Sequence, residues 1–213
     1  MLRKVAVVLS TFIFAFAILS VSVLRCSVFN RKVDAFSATP TPIVQEKDGQ
    51  NEVKINYVLP YTGKILPDSP FWFVKALRDR IWLTVTTNTM RKAELSLLFA
   101  DKRLTAAEEL FKKDKPLLAL STLTKAEKYL ETASRLEAKE RKSGVDTKSF
   151  LMTLANASLK HLEEIEKILT FAPDDIKPEV IKVASYANNA YKESRDALQS
   201  QGAVAPKNPF DGN

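Results

Sequence analysis

The sequence holds one cysteine, Cys26, and one histidine, His161. A lone cysteine excludes an intrachain disulfide, and a lone histidine excludes any site built on several. Glycine is scarce, with only Gly49, Gly63, Gly144, Gly202 and Gly212, which argues against phosphate-cradling loops and turn-dense β architectures. A di-iron carboxylate site in a helical bundle needs Glu-x-x-His pairs, and Ser158, not Glu, stands three residues before His161. No catalytic, cofactor-binding or metal-ligating set can be read from these residues, so the chain is expected neither to be an enzyme nor to carry a cofactor.

A strong charge imbalance is also missing once the net +7 is divided along the chain. Arg3, Lys4, Arg25, Arg31 and Lys32 against Asp34 leave +4 in the first 34 residues, and the other 27 basic and 24 acidic side chains leave +3. Most of the basic excess therefore flanks an apolar segment and makes no nucleic-acid footprint.

That segment is residues 5–24, twenty residues without a charge. As a helix it is about 30 Å long, the thickness of a bilayer core. A transmembrane anchor is the favoured reading; a cleaved signal peptide is the rival, but its apolar region is normally shorter and its cleavage site closer. Leu24-Arg25-Cys26 puts a bulky cation before the cysteine, which rules against lipoprotein processing. Basic residues balance across the segment, so the positive-inside rule is nearly silent. A short basic N-terminus is easily retained in the cytoplasm, and long C-terminal domains translocate largely regardless of charge. The expected topology is single-pass in the cell membrane, with the C-terminal domain extracytoplasmic.

Residues 25–64 lack helical period and include Thr39-Pro40-Thr41-Pro42, as a flexible linker would. The alternation in Val53-Lys54-Ile55-Asn56-Tyr57-Val58 suits an extended arm packed on helices better than a strand without a partner. Residues 65–201 then predict an antiparallel bundle of four to five helices, followed by a disordered tail at 202–213. Ser69 as N-cap and Pro70 at the first helical position open a helix whose stripe of Phe71, Val74, Leu77, Ile81 and Val85 is expected to be buried. A second helix, about 90–113 with Asn88 or Thr89 as cap, carries Ala93, Leu97, Ala100, Leu104, Ala107 and Phe111. A third opens near Pro116 and carries Ala119, Leu123, Ala126, Leu130, Ala133 and Leu136. The fourth, capped by Asp146 or Thr147, carries Leu151, Leu154, Ser158, Leu162, Ile165 and Leu169; the fifth, from Pro178, carries Val180, Ala184, Ala187, Tyr191, Ser194 and Leu198. These three- and four-residue steps belong to helices packed along their lengths. Short connections make sequential helices the expected neighbours.

The run Gly63-Lys64-Ile65-Leu66-Pro67-Asp68-Ser69-Pro70-Phe71-Trp72 resembles the opening of a bacterial family known as domain of unknown function 5667. Leu77-Arg78-Asp79-Arg80-Ile81-Trp82, Lys92-Ala93-Glu94-Leu95, Ala100-Asp101-Lys102-Arg103-Leu104 and Lys125-Ala126-Glu127-Lys128-Tyr129-Leu130 extend the resemblance over about residues 57–136. It implies an exported or membrane-tethered helical domain and brings no activity, cofactor or catalytic residue.

The expected function is accordingly a membrane-tethered, extracytoplasmic interaction or scaffold module. The alternative is a sensor or binder of a cell-envelope ligand. Its partners are expected to be the membrane, through residues 5–24, and a protein, with no nucleic acid. Phe71, Trp72, Phe73 and Trp82 are too many aromatics for one narrow core stripe, so they are candidates for an interaction surface. Asp68, Asp101 and Arg103 join them from the family-like segments; their blander roles are a turn for Asp68 and a surface or interhelical ion pair for Asp101. His161 is expected at a helix surface or boundary, and Glu108-Glu109 and Glu163-Glu164 on solvated faces.

Overall fold

A computed structural model describes residues 55–210 of the chain. The expected anchor at 5–24 and most of the expected linker lie outside the described residues. Five helices follow in order: α1 (Trp72–Val85), α2 (Thr89–Lys112), α3 (Pro116–Lys142), α4 (Lys148–Phe171) and α5 (Lys177–Ser200). There is no strand among the described residues, so the described part is all-α. None of these helices is long and apolar enough to cross a membrane.

Local chemistry sets the boundaries. Before α1, Leu66 O accepts from Ser69 N and Ser69 O from Trp72 N, and Ser69 Oγ accepts from Phe71 N at 3.3 Å. This turn occupies the positions expected to start the helix, which opens two residues later. Asn88 caps α2 by accepting from Arg91 N at 2.8 Å. The chain reverses in three residues after α2 because Asp114 adopts a left-handed conformation (φ 54°), which lets Lys115 N reach back to Leu110 O at 3.0 Å. Pro116 then opens α3, where its missing N–H costs nothing. Gly144 (φ 87°) does at the end of α3 what Asp114 does after α2, with Val145 N bonded to Glu140 O.

Helices α2 to α5 form the bundle. One apolar layer joins Leu104, Ala107, Leu110 and Phe111 of α2 to Ala119, Leu123 and Ala126 of α3, Ile165 and Ile168 of α4, and Val180 and Val183 of α5. The next joins Ala93, Leu97 and Ala100 to Leu130 and Ala133, Leu154 and Ala157, and Ala187 and Ala190. Rising numbers in α2 thus meet falling numbers in α3 and rising numbers in α4. The hairpins α2–α3 and α4–α5 are antiparallel within themselves and lie side by side, α2 along α4 and α3 along α5. Sequential helices are neighbours within each hairpin, but α3 and α4 sit across the bundle diagonal and touch little. The residues at 143–147 cross that diagonal, which a short loop can do because both helix ends lie at the same end of the bundle.

The expected seams of α2 to α5 are buried nearly throughout, with Leu136, Leu162, Leu169 and Ala184 partly covered. Three expectations need correction. The stripe Phe71, Val74, Leu77, Ile81 and Val85 faces water, with exposures from 40% to 67%. The bundle core is already closed by four helices, and α1 is held against it from its other side. The linker expected to run to residue 64 ends earlier: from residue 55 the chain is packed, as the extended arm expected over 53–58 would be, with Ile55 N donating to Glu163 at 2.9 Å, and the packing continues to Leu59 against the core. The tail expected to be disordered folds back as far as Phe210, because Tyr191 Oη donates to Pro206 O at 2.7 Å and Ala203, Ala205 and Phe210 cover the end of α4 and α5.

Candidate functional site

Between the two apolar layers the bundle holds a layer of ionisable side chains. Asp101 of α2, Glu127 of α3 and His161 of α4 converge there, with exposures of 3%, 0% and 0%. The imidazole lies between two carboxylates: Nδ1 is 2.6 Å from Glu127 Oε1 and Nε2 is 3.0 Å from Asp101 Oδ1. Tyr57, in the arm before α1, donates from Oη to Asp101 Oδ2 at 2.7 Å. Glu127 Oε2 is buried with no hydrogen-bond partner among the described residues.

Electrostatics follows from this geometry. Burial alone would push His161 down, but the Glu127 charge and the hydrogen bonds to Asp101 and Glu127 outweigh it and raise the imidazole to about 10. At neutral pH it is therefore imidazolium, and each ring N–H donates to a carboxylate. Burial first, then the Asp101 charge, pushes the Tyr57 hydroxyl far above its ordinary value, so Tyr57 stays a neutral donor. The expectation of a surface or boundary His161 is overturned. Steps of three and four run Leu151, Leu154, Ser158, His161, Ile165, Ile168, which places the imidazole on the seam itself. The same steps give Leu97, Asp101, Leu104, Glu108 in α2 and Leu123, Glu127, Leu130, Ser134 in α3. That signal was in the sequence, masked by Leu162 beside His161.

The acidic pairs are only half solvated. Glu108, 8% exposed, lies 2.9 Å from Lys112 and 2.8 Å from Lys167 of α4. Burial raises its carboxyl, but the hydrogen bonds from Lys167 and Lys112 prevail and hold it below the usual range. Glu164, also 8% exposed, bonds Lys160 at 3.0 Å, while Glu163 takes a second bond from Lys160 and the one from Ile55 N. These carboxylates pin α2 to α4, and the arm to α4.

The seven residues singled out in the sequence do not converge. Asp101 belongs to the buried layer, as an interhelical ion pair. Arg103 lies over the Tyr129 ring at 4.5 Å. Trp82 meets Phe99 of α2 edge-on at 6.3 Å, and Phe99 in turn meets Tyr129 of α3 at 6.1 Å, so the Trp82 ring joins α1 to an aromatic row that runs on into α3. Trp72 is half-buried beside Lys75. Asp68 fixes its turn to the α2–α3 connection through Lys115 at 2.8 Å and Lys113 at 3.5 Å; chiefly the Lys115 hydrogen bond holds its carboxyl below the ordinary range. Phe71 and Phe73 are each 67% exposed.

With Val74, Leu77, Ile81 and Val85, Phe73 forms the outward face of α1. At about 100° per residue these five side chains span an arc of about 120°, with the exposed Thr84 as the one polar side chain within it. Arg80 stands at one edge and Arg78 at the other. The one carboxylate of α1, Asp79, is turned inward, 4% exposed and bonded by Arg78 at 2.7 Å. Lys75 also turns inward and donates to Thr62 O at 2.6 Å and Ile65 O at 3.2 Å. A shallow, polar groove between α3 and α5 is lined by Glu131, Ser134, Glu193 and Asp196, and none of the aromatic candidates borders it.

The fold and its surfaces define a class: an all-α bundle of two side-by-side hairpins that carries an additional amphipathic helix with its apolar face outward. A family model described as domain of unknown function (DUF5667) matches residues 64–175. That is more than half of the chain, and the chain belongs to this family. The match begins at residue 64, later than the resemblance expected from 57, and runs past its expected end at 136 through α3 and α4; of the five helices it leaves only α5 outside. No curated protein and no solved structure matches the chain.

Proposed function

We propose that this protein is a non-catalytic docking module, tethered to the membrane by residues 5–24 and held on the extracytoplasmic side. One observation carries the reading: α1 exposes Phe73, Val74, Leu77, Ile81 and Val85, with Phe71 exposed just before it, on a helix the bundle does not need for its own core. Contiguous exposed apolar surface of this kind marks sites of interaction. The buried ionic layer supports the division of labour, since both nitrogens of its histidine are engaged by carboxylates and its role is to hold α2, α3 and α4 in register. The bundle is then the rigid scaffold and α1 the element that meets something else.

The test replaces Leu77 and Ile81 together by Ser in the full chain. A docking face predicts that the melting temperature stays within a degree or two of wild type, while contacts formed by α1 in cells, read by photo-crosslinking from position 74, disappear. A large drop in melting temperature would assign the stripe to the core and remove the basis of the reading.

A further inference from the structure

We propose that the outward face of α1 docks on an anionic lipid surface, the membrane from which the chain emerges. The inference rests on the docking reading above and names what the face meets. Charge complementarity selects the occupant. The apolar arc is edged on one side by the exposed cation Arg80; Arg78, at the other edge, is drawn to Asp79, the only carboxylate of the helix, which is buried away from the arc, so no negative side chain of α1 faces outward. That is the cross-section of a helix lying in a membrane interface, with aliphatic and aromatic side chains among the acyl chains and Arg80 reaching to the headgroups. A second copy of this chain fits worse: a two-fold stacking of antiparallel faces sets Arg80 against Arg80, with no exposed α1 carboxylate to pair with them.

Chain length supports the same occupant. Thirty residues separate Leu24 from Ile55, the first described residue. On the tether reading such a length keeps the bundle within a few tens of ångströms of the lipid, and a weak surface contact becomes an intramolecular one at high effective concentration. A helix too short and too weakly apolar to bind lipid from solution then has enough affinity to lie down on it.

The full chain is reconstituted into vesicles of phosphatidylcholine alone or mixed with phosphatidylglycerol. In a Cys26→Ser background, Val74→Cys carries an environment-sensitive fluorophore, and Ser185→Cys, exposed on the helix diagonal to α2, carries it in a control. Brominated acyl chains serve as quencher, so docking is read separately from anchoring. The expected result is a blue shift and quenching at position 74 but not at 185, several-fold stronger with phosphatidylglycerol and weakened by high salt. Arg80→Gln should lower the docked-to-free ratio about five-fold with the melting temperature unchanged. Equal quenching in neutral and anionic vesicles would overturn the inference. So would a probe at 74 that escapes lipid quenching while crosslinking to a second copy or another protein, an outcome that leaves α1 as a docking face with a different occupant. A position 74 that stays in water in vesicles and in cells alike would defeat both this inference and the docking reading.

Discussion

His161 is held by two carboxylates that could not be buried together without it. Removing both ring N–H donors leaves Asp101 and Glu127 as neighbouring uncompensated charges, and breaking a buried pair this way costs about 3–5 kcal/mol. His161→Leu is therefore expected to lower the unfolding free energy by that order in denaturant melts, while Glu127→Gln, which keeps the shape and sheds a charge, should cost about 1–3 kcal/mol. The ion pair also makes stability depend on pH. Because the folded imidazole sits near 10 and the unfolded one near 6.5, the stabilisation is complete below about pH 6.5 and gone above about pH 10. Across that window the melting temperature should fall in wild type and lose most of this slope in His161→Leu. Above it, Tyr57 adds to the loss, since the folded state must keep a proton that the unfolded chain gives up.

At the scale of elements, α1 and α2 make opposite use of similar apolar stripes. Leu104 of α2 is fully buried, so Leu104→Ala should cost about 2–5 kcal/mol. Leu77→Ser on the outward face of α1 should change stability by no more than about 0.5 kcal/mol; equal losses in the two variants would contradict the exposure of α1. Trp82→Ala belongs between them, because its ring is the contact with Phe99. It should loosen α1 selectively, seen as faster hydrogen exchange in α1 amides with α2 to α5 unaffected. Periodicity read all five helices correctly and placed the seams of α2, α3 and α5, and that of α4 except at His161 and Ile168. It erred on α1 because a stripe says that a face wants to leave water, not what covers it. The same limit applied to His161, where the neighbouring Leu162 offered a hydrophobic alternative one residue off the true seam.

In the whole molecule, two hairpins lie side by side and segments from both ends of the bundle fold over them. The arm at 55–66 is pinned by Tyr57 and Ile55, and the segment after Gly202 by Pro206 and Phe210. Ending the chain at Gly202 should uncover Tyr191 and Leu198 and lower the melting temperature measurably, although residues 203–210 form neither helix nor strand; an unchanged melt would mean that their contacts contribute nothing.

Helix number, type and approximate limits, and membership of the helical family, were set by the sequence alone. Capping residues, prolines, glycines and three- and four-residue steps act between near neighbours in the chain and can be read locally. The tertiary structure decided which helices sit diagonally, where the α1 face points, and that Asp101, Glu127 and His161 share one buried layer. Each of these depends on contacts between residues tens of positions apart, whose energy exists only once the bundle has closed and taken water away from both partners.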